Sequence, residues 1–136
     1  MDKPRALLVE AHSELRYYYG WLLREQAGCE VHAVGTTEEA RSFLESGNDV
    51  QVVVTHVYFP DKKQNADYKI AAEFCQFIRK SRGDSIPIIG LQTIPVDDQF
   101  LADAGFPADI IPWFISFHSP KDFVRRVKDF VHGTPV

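Results

Sequence analysis

Hydrophobic positions along the chain fall into short continuous runs that alternate with longer stretches of helical spacing. Continuous apolar runs are typical of strands that are buried on both faces of a parallel sheet. One run differs, because EVHAV alternates in the manner of a half-buried or edge strand. The pattern predicts strands over residues 6–9, 30–34, 50–54 and 86–91, and a fifth that begins within 108–111.

The stretches between these runs carry apolar residues at helical spacing, with capping residues at their starts and glycines at their ends. Ser13, Thr37 and Ser119 are the predicted caps of the first, second and last helices, and Pro120 stands at the favoured first position of the last one. A polar stretch, DKKQNADYK, precedes the third helix. The predicted stop positions are Gly28, Gly47, Gly83, Gly105 and Gly133.

Five strands therefore alternate with five helices. Such alternation predicts an α/β fold with a doubly wound parallel sheet, because parallel strands require helical crossovers. For five strands the flavodoxin-like order 2-1-3-4-5 is the natural one, and its sites lie beyond the carboxyl ends of the strands at the switch point. We therefore expect strands one and three to present the functional residues.

Composition narrows the range of functions. The 136 residues suit a single domain, expected over 1–133 with 134–136 as a tail or the start of a linker. Lys and Arg total 15 against 19 Asp and Glu, which gives no reason to expect nucleic-acid binding. No segment has the length of a signal peptide or membrane span, and two unpaired cysteines indicate reduced thiols, so a cytoplasmic location is predicted.

Three segments carry a family resemblance. The run VQVVVTHVYFP is an apolar strand that stops at a turn, with His56 four residues before Pro60. Together with ALLVEAHSELR near the start and PIIGLQT later on, it resembles bacterial response-regulator (CheY-like) receiver domains over nearly the whole chain. This resemblance implies the same doubly wound fold and a role in two-component signal transduction.

The resemblance also implies where a phosphorylation site would lie, and most of that site is altered. The position of the phospho-accepting aspartate is held by His56. The acidic pair that binds magnesium is matched by Glu10 and Ala11, and the hydroxyl position by Gln92, with Thr93 next to it. The lysine of the family cannot be placed, because no Lys or Arg occurs between residues 83 and 120.

Acyl-phosphate formation needs a carboxylate nucleophile, a magnesium ion and a cation on the product. Of these groups only the carboxylate of Glu10 remains. No phosphate-binding loop, nucleophile elbow or paired zinc motif is present either. We therefore expect a non-enzymatic pseudo-receiver without a cofactor, which acts by protein–protein contact as a free-standing adaptor or as the regulatory domain of a larger regulator.

The residues leave alternatives open at the same place. His56 and Glu10 are expected to form a buried hydrogen-bonded pair. Imidazole and carboxylate groups are also transition-metal ligands, so Glu10, His12 and His56 are a candidate metal or small-ligand site. A third alternative is a phosphorelay receiver in which His56 is a non-standard acceptor.

Two aromatic clusters suggest contact surfaces. Tyr17, Tyr18, Tyr19 and Trp21 point in several directions from the first helix, and we expect some of them to line a groove between helices. Part of the nearly uncharged segment 106–117 is expected to be strand core, and the remainder predicts an exposed apolar patch for a protein partner. In receivers the neighbouring face of helix four, strand five and helix five is the usual dimer and output surface, which makes a homodimer a candidate. The interface candidates are Phe106, Trp113, Phe114 and Phe117.

Overall fold

The main sheet has the predicted architecture. In the computed structural model, which describes residues 3–116 and 118–132, five parallel strands are ordered β2-β1-β3-β6-β7. This is the 2-1-3-4-5 order of the five main strands, so the predicted fold class is confirmed. The main strands are β1 (Arg5–Val9), β2 (Glu30–Val34), β3 (Val52–His56), β6 (Ile88–Gln92) and β7 (Ile111–Phe114).

Helices cover both faces of the sheet. The first helix continues from its α-helical part into a π-helical segment, Leu22–Gln26. The helices are α1 (Ser13–Trp21), α2 (Thr37–Glu45), α3 (Tyr68–Arg82), α4 (Asp98–Ala104) and α5 (Pro120–His132).

The core consists of two apolar layers separated by the sheet. Alternate residues of β3 enter opposite layers, because successive side chains of a strand point to opposite faces. Val53 packs on the side of α2, α3 and α4, whereas Val52 and Val54 pack on the side of α1 and α5 with Phe123. All five residues of β3 are buried, and these include the polar Thr55 and His56, which follow the apolar run.

Strand ends differ from the predicted ones by up to three residues. β3 begins two residues later than predicted and includes His56, and β6 ends at Gln92. β7 begins at Ile111, since the amide of Ile110 instead donates to the carbonyl of Pro107 at 3.2 Å in a turn. Hydrogen-bond pairing, and not hydrophobicity alone, sets where a strand starts.

Two predicted helix caps are displaced by one residue. His12, not Ser13, caps α1, because its side-chain nitrogen accepts from the amide of Leu15. Thr36, not Thr37, caps α2 through the amide of Glu39 at 3.1 Å. The prediction for Ser119 is confirmed, with the amide of Asp122 at 3.2 Å from its hydroxyl oxygen.

The polar stretch after β3 contains a small antiparallel ribbon that was not predicted. Its strands, β4 (Phe59–Pro60) and β5 (Ala66–Asp67), are only two residues each. The turn between them is closed by the Asp61 carboxylate, which accepts from the amides of Lys63 and Asn65. Side-chain bonds of this kind leave no hydrophobic pattern in the sequence.

The predicted domain boundary at residue 133, the stop at Gly133 and the tail 134–136 lie outside the described residues. Within the described part of the chain, no helix has the length and apolar character needed to span a membrane.

Candidate functional site: a buried carboxylate–imidazole pair

The central pair of strands brings Glu10 and His56 together. Glu10 directly follows β1, and its backbone amide donates to the carbonyl of Val34 at 3.0 Å. His56 is the last residue of β3, and Val9 is in register with Thr55. Both side chains therefore lie at the carboxyl edge of the sheet, where strands one and three were expected to present the site.

Glu10 and His56 form a closed hydrogen-bonded pair. Nδ1 of His56 lies 2.6 Å from Oε2 of Glu10, and each residue is only 3% exposed. The other carboxylate oxygen, Oε1, accepts from the amide of His12 at 3.1 Å. Both oxygens of the buried carboxylate are thus satisfied, while Nε2 of His56 has no hydrogen-bond partner among the described residues.

A buried amide side chain ends β6. Gln92 ends β6 with no solvent exposure, and its Oε1 accepts from the amide of Val96 at 3.1 Å. The neighbouring Thr93 is exposed, and its hydroxyl lies 3.0 Å from the hydroxyl of Tyr58. The threonine hydroxyl next to this strand end is therefore hydrogen-bonded to a tyrosine.

The candidate metal ligand His12 does not join the pair through its side chain. Its Nδ1 accepts from the amide of Leu15 at 3.4 Å, and the residue is exposed. Over residues 3–116 and 118–132, no group of three His, Cys, Asp or Glu side chains is arranged to hold a metal ion. The structure thus unites two of the three candidate ligands and uses the third as a helix cap.

The resemblance to receiver domains implies a magnesium ion at this edge, and the residues present do not fit one. Magnesium requires oxygen ligands in a nearly octahedral arrangement. Glu10 has both oxygens engaged, the exposed Ala11 offers no side-chain ligand, and an imidazole stands where a second carboxylate would be needed.

Arg16 belongs to the site and was not predicted from the sequence. Its Nη1 donates to the carbonyl of Glu10 at 2.7 Å and lies 3.5 Å from that of Ala11. The guanidinium group therefore holds the β1–α1 loop through its backbone and leaves the Glu10 carboxylate to His56. The sequence signal that could have identified Arg16 was a basic residue in the first turn of α1, six positions after the acidic residue that follows β1.

A series of aromatic contacts extends from the pair to α4. The His56 ring meets Tyr58 at a centroid distance of 4.4 Å, Tyr58 meets Tyr68 at 5.4 Å, and Tyr68 meets Phe100 at 4.8 Å. Burial, with a smaller effect of Tyr58, raises the pKa of Tyr68. The sequence signal for Tyr58 was its position two residues after His56, the spacing of same-face residues in extended chain.

The predicted exposed patch is wrong for two of its four residues. Phe106 is 5% exposed and packs in the layer under α3 and α4. Trp113 is 7% exposed, lies on β7 and meets Phe123 edge-on at 5.8 Å. The low charge of the segment around these two residues therefore reflects their positions in the core and not a contact surface. Phe114 is half-buried, and Phe117 lies outside the described residues.

The aromatic cluster of α1 divides as expected. Tyr19 is buried against Phe123 at 4.8 Å, and burial, with Tyr18 and Glu10 nearby, raises its pKa to about 12. Tyr18 and Trp21 instead line a groove between α1 and α5. The predicted interhelical groove is therefore confirmed.

This architecture defines a class of protein: a doubly wound α/β domain with a polar site at its switch point. Comparisons with solved structures identify the fold as that of receiver domains. A CheY-like receiver domain protein from Methanospirillum hungatei JF-1 superposes with a TM-score of 0.76 at 15% identity, covering 96% of this chain and 95% of that one. A response regulator receiver protein from Sinorhizobium medicae WSM419 gives 0.75 at 20% identity, with 96% and 95% covered.

A third similar structure, the chemotaxis protein CheY4 of Vibrio cholerae, has a TM-score of 0.72 at 19% identity, with 94% and 98% of the two chains covered. No family model matches the sequence. No curated protein matches it either. The receiver fold is therefore present in a sequence that is no more than 20% identical to these three structures.

Proposed function

We propose that this chain is a pseudo-receiver, a signal-transduction domain that works through protein contacts and not through aspartyl phosphorylation. The observation that carries the proposal is the pair at the switch point. His56 occupies the end of β3 and binds Glu10 at 2.6 Å, so the remaining acidic side chain is used for an internal hydrogen bond. The aspartate that would accept phosphate in a receiver is replaced by His56, and His56 is hydrogen-bonded to Glu10.

Burial supports the same proposal. A phosphodonor must reach the acceptor atom in line with the bond that breaks. Only 3% of His56 is exposed, and its ring packs edge-on against Tyr58. No Lys or Arg between residues 83 and 120 is available to neutralise a phosphoryl group from the β6 and β7 side of the site.

We further propose that the face of α4 and β7 mediates self-association. Two large apolar side chains, Ile94 and Phe100, are 60% and 43% exposed beside this face. Phe100 is also the last ring of the aromatic series that starts at His56. A partner that displaces Phe100 on α4 would therefore also affect the packing around the Glu10–His56 pair. Sedimentation velocity tests this proposal, because Ile94→Ser/Phe100→Ser should shift a dimer towards monomer. A wild-type chain that stays monomeric at high concentration contradicts it.

Beryllium fluoride, a phosphoryl mimic, tests the absence of a phosphorylation site. With magnesium and beryllium fluoride present, we expect no change in the amide NMR signals of Glu10, His56 and Gln92. The melting temperature should also stay constant, since a ligand that binds only the native state raises it with concentration. Saturable shifts at Glu10 and His56 would contradict the proposal and favour an acceptor role for His56.

A further inference from the structure

A groove between the first and last helices forms a separate site. Its volume is about 570 Å³, and it runs between the end of α1, the π-helical segment and the start of α5. Its lining combines aromatic and aliphatic side chains from both helices with long basic side chains of α5. The apolar lining residues are Tyr18, Trp21, Leu22, Pro120 and Val124.

The α1 wall exposes more apolar surface than folding requires. Trp21 is 39% exposed and Tyr18 is 41% exposed, and the adjacent Tyr17 is 74% exposed. Only Tyr19 of this cluster is directed into the core. Aromatic rings that stay partly wet in a concave site are the side chains enriched in protein–protein contacts.

The α5 wall carries a local concentration of positive charge. Lys121, Arg125 and Lys128 line the groove, and none of the described residues that line it is acidic. The exposed Asp122 contacts Arg125 at 3.5 Å, so Lys121 and Lys128 are the two cations of the stripe for which no ion pair is observed among the described residues. Their spacing of four and then three residues places them in one stripe along the helix. This stripe contrasts with the whole chain, whose formal net charge is −4. The groove is therefore electrostatically matched to a negatively charged partner.

A departure from regular helix geometry lies in the same groove. Residues Leu22–Gln26 are π-helical, and Leu22 and Gln26 both line the groove. Short π-helical segments inside α-helices occur frequently at functional sites. Here the segment lies between the exposed aromatic residues of α1 and the basic stripe of α5.

We propose that this groove binds an acidic amphipathic helix of a partner protein. The apolar face of such a helix would cover Tyr18 and Trp21, and its carboxylates would meet Lys121, Arg125 and Lys128, the arrangement of helix-in-groove recognition. An anionic membrane fits less well. The neighbouring hollow contains Glu25 and Asp129, whose carboxylates would meet the lipid head groups at the rim.

The proposal rests on the proposed function as an interaction module and names the chemistry of its partner. A suitable probe is an amphipathic peptide of about 16 residues, long enough to be helical, with Leu on one face and Glu at the flanking positions. We expect saturable NMR shifts of the Trp21 indole and of the α5 amides. The same peptide with Lys in place of Glu should bind roughly tenfold more weakly or worse. Added salt should weaken the binding of the acidic peptide, because it screens the attraction between opposite charges.

Charge reversal in the groove provides the decisive comparison. Lys121→Glu/Arg125→Glu/Lys128→Glu should weaken binding of the acidic peptide by roughly tenfold or more. The control, Lys62→Glu/Lys63→Glu/Lys80→Glu, changes the net charge equally at exposed positions away from the groove and should bind like the wild type. Because the 39% exposed Trp21 contributes little to the core, Trp21→Ala should reduce binding in a protein that stays folded and loses only a small part of its stability.

Several results would overturn the inference. These are equal binding of the acidic and basic peptides, equal weakening by the two charge-reversed variants, and no saturable binding. Binding to phosphatidylcholine–phosphatidylglycerol vesicles through Trp21 without peptide binding would assign the groove to membranes. Self-association abolished by the groove variant would assign it to a second copy. All these measurements omit phosphodonors, so the discovery of a phosphorylation site would overturn the proposed function without changing the peptide result.

Discussion

The imidazole of His56 and the carboxylate of Glu10 are in direct contact at 2.6 Å although 46 positions separate them in the chain. Their strands, β1 and β3, are adjacent and parallel, so their carboxyl ends meet at the switch point of the sheet. The pair links the two halves of the domain at the place where the fold usually presents its function.

Removal of the imidazole should strongly destabilise the protein. In His56→Leu the buried carboxylate of Glu10 loses the partner of its Oε2, and the cost of an unpaired buried charge is about 3 kcal/mol in unfolding free energy. Glu10→Leu/His56→Leu should recover a large part of this loss, because the charge is then absent. Urea denaturation of the single and double variants measures both effects.

A matched histidine provides the control for this cycle. His32 is half-buried and stacks on Phe43 at 3.8 Å, so His32→Leu should cost far less than His56→Leu. Strict additivity of the Glu10→Leu and His56→Leu losses would show that the two side chains do not interact in solution.

The two tryptophans should differ sharply in their contribution to stability. Trp113 is 7% exposed in the core layer below α5, and Trp113→Ala should cost about 3 kcal/mol or more. Trp21 is 39% exposed, and Trp21→Ala should cost less than about 1 kcal/mol. Chemical denaturation of both variants checks this order. A stable Trp113→Ala protein with lost self-association would restore the interface interpretation of the sequence.

Stability should fall as the pH rises above about 9, because two buried thiols stay protonated in the native state. Burial raises the pKa of Cys29 from 9.0 to about 11. Burial likewise raises the pKa of Cys75 to about 12. Above pH 9 the unfolded chain releases these protons first, so it binds fewer protons than the native protein and the unfolding free energy decreases.

Denaturation midpoints at roughly pH 8 and pH 10 measure this fall. The variant Cys29→Ala/Cys75→Ala should lose less stability over the same interval, since its remaining titrating groups are those of the wild type. An identical fall in both proteins would exclude the thiols as its cause. Thiol-specific reagents should also react slowly with the native protein and rapidly in urea.

The sheet could be predicted because its signal is local and redundant. Most of the main strands are continuous apolar runs, β2 is an alternating one, and the crossover rule then leaves few topologies. The pairing of Glu10 with His56 followed from the same rule, since neighbouring parallel strands end at one edge. The interhelical groove could be predicted as well, because four aromatic residues within positions 17–21 of one helix cannot all face the core.

The rest depended on contacts that sequence patterns do not carry. Trp113 and Phe106 were assigned to a surface because their segment contains hardly any charged residues. A buried strand and the loop that leads into it also lack charged residues, and both side chains are in fact buried. The contribution of Arg16 arises through backbone carbonyls, which are the same for every residue type. The ribbon of β4 and β5 is held by two amides that donate to Asp61, and no periodicity reports such bonds.

The central claim is that this receiver fold has no phosphoryl acceptor, and intact-mass measurement after treatment with acetyl phosphate and magnesium tests it most directly. A receiver domain that has an aspartate at the acceptor position, treated in parallel, shows that the reagent is active. We predict that the mass of the native protein stays unchanged over the whole incubation. A stoichiometric gain of one phosphoryl group that is lost in the His56→Leu variant, or that maps to any aspartate of the native chain, would contradict the claim.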